Sequence, residues 1–251
     1  MKKANKKVNA AIIIIGNEIL SGRTQDVNVV FLSKWLNELG VKVEEVRVIP
    51  DIENLIVKTI NEVRGKFKYV FTTGGIGPTH DDITSQSIAK AFKVSYGYNE
   101  EAYEILKKYY GENKFSEGRK KMAMMPDTSS LIYNPCSGAP AFIVKNVYCL
   151  PGVPSILRSM MFGLKNKISG GKKILSKTIS LITVESEIAK ELENIQNKFK
   201  NIEIGSYPFF RLGKIGVSIV LRSPNKKKID DCSKKIISFV KKRKIKIIER
   251  E

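Results

Sequence analysis

The chain has 251 residues, 42% of them hydrophobic, and a formal net charge of +19. That length suits one large α/β domain, or a domain with a smaller module, and the composition marks a soluble globular protein. No stretch approaches the roughly 18 apolar residues that a membrane span needs. Cys136, Cys149 and Cys232 are odd in number and widely spaced, which excludes a disulfide framework and zinc-finger spacing and leaves reduced, structural thiols.

The start, MKKANKKVNAAIIII, resembles a signal peptide only briefly. Its apolar core is short and Gly16-Asn17-Glu18 follow without a small-residue cleavage site. A basic lead into a buried strand is the better reading, and a cytoplasmic protein is expected. Lysine greatly outnumbers arginine, the preferred reader of base edges. The excess charge therefore reads as a solvated lysine surface, with nucleic acid not expected as a partner and phosphate-bearing small molecules favoured.

Ala11–Ile15 is a continuous apolar run, as in a strand buried on both faces. Val29, Leu32, Trp35, Leu36 and Leu39 recur at helical spacing, and Gly40 ends that helix. Val41, Val43, Val46 and Val48 form a second strand, closed by Pro50. Ile52, Leu55, Ile56, Ile60 and Val63 give a second helix, stopped at Gly65. Lys68–Thr72 is a third strand and Ile83–Phe92 a third helix. Crossover helices between strands imply a doubly wound, mostly parallel three-layer α/β sheet.

Helices over Glu100–Tyr110 and Ser116–Met124 follow, then short strands at Leu131–Tyr133, Ala141–Val144 and Val147–Leu150. Pro151-Gly152-Val153-Pro154 turns the chain into a helix over Ser155–Leu164. Met122–Met125 reads as core or lid packing. The texture changes at "ISGGKK", a hinge. The expected domains are 1–168 and a small α+β module over 174–251. In that module strands at Lys177–Val184, Ile202–Gly205, Gly216–Leu221 and Ile245–Ile248 alternate with helices at Ser186–Lys198 and Lys228–Lys242. The basic end KKRK of the last helix reads as a solvated face.

With right-handed crossovers the simplest strand order is 2-1-3, which opens a crevice at the carboxyl ends of the first and third strands. Gly16-Asn17-Glu18 leave the first strand, Pro50-Asp51 the second and "GGIGPTHDD" the third. The glycines Gly74, Gly75 and Gly77 permit positive φ and close backbone approach. Successive N–H groups there can cradle an anion, helped by a helix opening near Thr79–Ile83, or the loop can be only a tight turn. Asp81 or Asp82 can cap that helix. Two adjacent carboxylates also invite a second role: with Glu18 and Asp51 they can hold a divalent metal against a bound diphosphate and activate water.

His80 can assist as base or ligand, or face solvent. Asp26 can cap the first helix, or with Asn28 anchor a ribose, a base or a metal. In "NPCSGAP", Ser137 and Gly138 can donate to phosphate or form a β-turn. Pro151 and Gly152 can close the pocket floor.

GNEILSG, QDVN, TTGGIGPTHDDIT, NPCSGAP and LPGVPS, in that order, resemble the N-terminal domain of CinA proteins over nearly the whole chain. The first domain is also similar to the molybdopterin-binding domain of MogA, MoaB and gephyrin, and to the domain fused to eukaryotic FAD synthases. The resemblance implies a molybdopterin-binding-like fold, with Asp82 on the family's functional aspartate and Asp51 on its aspartate after the second strand. Gly74, Gly75, Gly77, Thr84, Pro151 and Gly152 match the same pattern.

The implied activity is metal-dependent (Mg²⁺, Mn²⁺ or Co²⁺) cleavage of a nucleoside diphosphate derivative, ADP-ribose or FAD, to two monophosphates. Glu18, Asp81 and Asp82 would be its catalytic and metal residues. Gly16, Asn17, Asp26, Asn28, Asp51, Thr79, Thr84, Ser137 and Gly138 join the glycines and Pro151-Gly152 as ligand-binding residues. MogA-type proteins carry a basic residue where this loop has Asp81, which argues against adenylyl transfer. The alternatives are a non-catalytic molybdopterin or nucleotide binder and a molybdopterin adenylyltransferase-like protein. A homodimer is implied, and the nicotinamide-mononucleotide deamidase activity of longer CinA proteins is not expected.

Overall fold

The computed structural model describes residues 8–211 and 213–250; the lead MKKANKK lies outside them. They fall into two compact units, one reaching to Gly171 and the other starting at Lys172. The first unit runs β1 (Asn9–Ile15), the single turn α1 (Asn17–Leu20), α2 (Asn28–Glu38), β2 (Lys42–Ile49), α3 (Glu53–Val63) and β3 (Tyr69–Thr73). It continues with α4 (Thr84–Phe92), β4 (Tyr96–Tyr98), α5 (Glu100–Tyr110), α6 (Glu117–Lys121) and β5 (Met124–Pro126). It closes with β6 (Ser130–Ile132), β7 (Ala141–Val144), β8 (Val147–Leu150) and α7 (Pro154–Leu164).

Its main sheet has the order β2-β1-β3-β8-β7-β6. The first four strands are parallel and β7 and β6 antiparallel. The 2-1-3 order read from the crossovers is therefore present, and four strand tips end on one edge. The isoleucine run of β1 serves two cores at once, because successive side chains of a strand alternate between faces. Ile13 and Ile15 pack with α3, α4 and α5, whereas Ile12 packs with α2 and α7. This is the three-layer α/β fold expected.

One element differs. The helix expected over Ser116–Met124 stops at Lys121, and Met124–Pro126 pairs antiparallel with Tyr96–Tyr98. Pro126 disfavours the helical region for the residue before it, and Met125 gains burial by extending into the core.

The second unit runs β9 (Leu175–Ile182), α8 (Glu185–Lys198), β10 (Glu203–Arg211), β11 (Lys214–Ser223), α9 (Lys226–Lys242) and β12 (Lys246–Arg250). Its sheet is antiparallel with order β10-β11-β9-β12. Both helices bury their apolar stripes on it through Ile188, Ile195, Ile229, Cys232, Ile236 and Val240. β10 and β11 extend well past the expected ends, since Tyr207 to Phe210 pair with Ile215 to Ser218 in a long hairpin. Among the described residues no helix is long and apolar enough to cross a membrane. Cys149 and Cys232 are buried, and burial pushes their thiols up to about 12 and about 11, so neither is a ready nucleophile.

Candidate functional site

The strand tips are tied to one another by short bonds. Gly16 N–H donates to Ile49 O at 3.2 Å, and Asn17 N–H donates to Asp51 Oδ2 at 2.9 Å. These two contacts lock the β1 loop onto the β2 loop and set α1, where the Glu18 carboxylate folds back over Gly16: a Cβ on that glycine would stand 2.6 Å from Glu18 Oε1. Next to it, β3 breaks at Gly74 and Gly75, whose φ values of 98° and 67° are those that glycine tolerates. Gly74 N–H donates to Leu150 O at 3.0 Å, so the loop starts on the β8 tip. There Gly152 packs so closely that a Cβ on it would sit 3.5 Å from Gly74 Cα.

After Gly77 the loop closes on itself. Asp82 Oδ2 accepts the Thr79 N–H at 2.8 Å and the Thr79 hydroxyl at 2.5 Å. This corrects the capping expectation for Asp82: α4 starts only at Thr84, its N-cap is Ile83, and no side chain caps it. Thr84 N–H donates instead to Gly75 O at 2.8 Å. Lys121 Nζ donates to Thr79 O from the α6 side. The N–H groups of Gly75, Ile76 and Gly77 take no part in the hydrogen bonds among the described residues. Three successive unused amides at a glycine turn can cradle an anion.

These groups border a cleft of about 770 Å³. Glu18, Gly74, Gly75, Gly77, Thr79 and Asp82 line it, as do Ser137, Pro151 and Gly152. The remaining lining is largely apolar, including Ile76, Met122, Ile156 and Met160. An apolar cleft with a few placed polar groups is the usual form of a small-molecule site.

The other expected residues build its walls without lining it. Asp26 Oδ1 accepts the Val29 N–H at 2.9 Å, a capping contact at the start of α2. Asn28, buried, donates to Gly152 O at 2.8 Å and pins that loop. Thr84 is fully buried beneath Gly75. Gly138 (φ 73°) lets its loop pass over the Tyr109 ring. Asp51 is engaged with Asn17, and Gly16, Asn17 and Asp81 stand beside the cleft rather than on its lining. His80 is exposed and away from the lining.

Sequence reasoning missed Thr24, Tyr110, Arg119 and Asn134, which all line the cleft. Asn134 shapes the β6–β7 loop, its Oδ1 accepting the Cys136 N–H at 2.9 Å and its Nδ2 donating to Ala139 O at 3.0 Å. An Asn followed by Pro and then Gly carries that turn signal. Nothing in the run "EGRKK" sets Arg119 apart from its neighbours.

One carboxylate on this edge, Asp51, feels two others. Asp51 is held above the usual carboxylate range, mainly by burial against the pull of the Asn17 N–H, and further by the like charges of Glu18 and Asp81. Asp81 moves the other way: the nearby Thr79 hydroxyl and its own backbone N–H hold its carboxyl below the usual range. For Asp51 the folded state binds the proton more tightly than the unfolded chain. Its contribution to stability is present in acid and is lost as pH rises through the folded pKa. Asp51→Asn should therefore raise the melting temperature at pH 7, with the gain vanishing below the ordinary carboxylate range. Melting curves from pH 3 to 8 check this, and a difference independent of pH would contradict it.

Among the described residues no group of three or more His, Cys, Asp or Glu side chains is placed to hold a metal ion. A hard divalent cation would have to be bound in a different manner. Mg²⁺ in particular is commonly shared between one or two carboxylates and the phosphates of a substrate, without a full protein cage. Glu18 and Asp82, both on the lining, are the carboxylates that would serve.

Comparison with known proteins agrees with this architecture. Residues 11–168 match a family described as "Probable molybdopterin binding domain", and residues 173–249 match "FAD synthase, middle domain". A protein of Archaeoglobus fulgidus is 34% identical over 197 residues, 78% of this chain and 84% of that protein. A Caenorhabditis elegans protein named "Probable FAD synthase" is 31% identical over 81% of this chain, which spans only 44% of its length. Among solved structures, the protein CinA from Thermoplasma acidophilum, described as of unknown function, is similar with a TM-score of 0.61 at 32% identity. That match covers 65% of this chain and 99% of that one.

Proposed function

This chain belongs to the molybdopterin-binding domain family, and from that premise we propose that it is a divalent-metal-dependent pyrophosphatase acting on a nucleoside diphosphate derivative such as ADP-ribose or FAD. The observation that carries the reading is the row of unused amides at Gly75, Ile76 and Gly77 with the Glu18 carboxylate on the same cleft. The amides suit the non-bridging oxygens of linked phosphates, and the apolar remainder suits a ring system. The likeness of most of this chain to a protein named "Probable FAD synthase" supports a nucleotide as the ligand.

In this reading the glycine loop binds and orients the diphosphate. The Thr79–Asp82 turn keeps that loop closed, and Glu18 and Asp82, with Asp81 beside them, would hold the cation. The cation, when bound, would supply charge neutralisation and a more acidic water. Glu18 makes no hydrogen bond or ion pair through its carboxylate among the described residues, so it is the group available to take a proton from attacking water. Water adds at phosphorus, the bridging P–O bond breaks, and ADP-ribose gives AMP and ribose 5-phosphate.

A second reading, a pterin- or nucleotide-binding protein without turnover, is favoured by one observation: Asp82 is already engaged by Thr79. Incubating the pure full chain with ADP-ribose and FAD under Mg²⁺, Mn²⁺ and Co²⁺ decides between them. Metal-dependent release of AMP is expected. No AMP with any metal, together with a pterin that co-purifies unhydrolysed, would replace the first reading by the second.

A further inference from the structure

Arg119 is a cation without an anion among the described residues. Its guanidinium carbon lies 4.1 Å from the centre of the Tyr110 ring, and its Nη1 donates to the Lys114 carbonyl. No carboxylate pairs with it among the described residues, yet it borders the cleft. A guanidinium has five N–H donors in a fixed fork, and one is used here. Stacking on Tyr110 and the carbonyl contact fix the plane of that fork before any ligand arrives, which lowers the ordering cost of binding.

The helix that carries it is fastened to the glycine loop. Lys121 donates to Thr79 O, and a Cβ on Gly118 would sit 3.4 Å from Pro78 O. Helix α6 is thus held against the glycine loop, and the Tyr110 ring holds the guanidinium that it carries. The purely structural role, a cap on the turn at Lys114, needs a single N–H and neither a guanidinium nor a place on the cleft.

We propose that Arg119 is the phosphate-gripping side chain of the cleft, holding the anionic middle of a diphosphate-bridged nucleoside together with the loop amides. The proposal rests on the reading that such a ligand occupies this cleft. It does not require that the ligand be cleaved.

The test is isothermal titration of the full chain and of Arg119→Ala and Arg119→Lys with ADP-ribose and with adenosine, all in Ca²⁺, with melting temperatures alongside. Arg119→Ala should weaken ADP-ribose about ten- to a hundredfold, the size of one or two charge-assisted hydrogen bonds, and leave adenosine unchanged. Arg119→Lys should fall between, because it keeps the charge and loses the fork. If ADP-ribose is unaffected, if both ligands weaken equally, or if the wild type does not bind ADP-ribose, the proposal is overturned. Should Arg119→Ala not fold, the ratio of the two ligands in Arg119→Lys decides in the same way. Arg119-dependent binding without AMP release would remove the pyrophosphatase reading alone. Undiminished cleavage and affinity in Arg119→Ala would remove this proposal alone.

Discussion

Exchanging Glu18 for glutamine should lower ADP-ribose cleavage by about two orders of magnitude or more, the range of a lost general base or metal ligand. The melting temperature should not fall. The substitution keeps the shape of the side chain and removes its charge. Because the carboxylate has no hydrogen bond or ion pair among the described residues, no fold contact is lost. Asp82→Asn does not isolate chemistry so cleanly. One oxygen of Asp82 accepts both the N–H and the hydroxyl of Thr79, so its exchange also loosens the loop.

Glu18 is also coupled to Asp51, whose carboxyl it helps to hold above the usual range. Glu18→Gln should therefore ease the Asp51 repulsion, and the stability gains of Glu18→Gln and Asp51→Asn should add to less than their sum. Steady-state AMP release and a double-mutant cycle of melting curves measure both effects. Retention of more than half the wild-type rate in Glu18→Gln would remove Glu18 from the chemistry.

Much of this arrangement was legible in the residues because the fold is punctuated. Apolar runs that stop at Gly16, Pro50 and Gly74 give the strand ends, and right-handed crossovers then leave one simple order for them. Turn chemistry was harder to read. Asp82 stands two residues before α4, where a cap is the usual role, but Thr79 offers two donors within the same turn and takes the carboxylate. Arg119 was hidden by composition. Among 44 basic residues, a single arginine over Tyr110 has no sequence signature, since the cleft brings α6 together with loops far from it in the chain. The β4–β5 pair was obscured because burial of Met125 overrides the helical texture of the preceding segment.

Gly74→Ala should cost the first unit about 3 kcal/mol or more, a sum of left-handed strain and steric clash. At φ 98° a side chain is strained whatever surrounds it, and here the space is also filled: the new Cβ would stand 2.1 Å from Ile15 O. That oxygen belongs to the backbone of β1, which is held between β2 and β3. Neither partner can step aside without breaking the sheet at the point where the cleft begins. The melting temperature should fall by about 6–12 °C, at 2–4 °C per kcal/mol for a unit of this size.

Trp35, the sole tryptophan, lies on α2, so its fluorescence reports on this unit and not on the module after Lys172. Gly22→Ala is the control, since its φ of 72° is left-handed but no atom lies within 4 Å of the added Cβ. There only the backbone term remains, about 1 kcal/mol. Equal losses in the two variants would mean that the Ile15 carbonyl yields and that the glycine loop is softer than its contacts imply. A loss several times larger in Gly74→Ala, with AMP release falling in step, would tie the rigidity of the sheet edge to the cradle it supports.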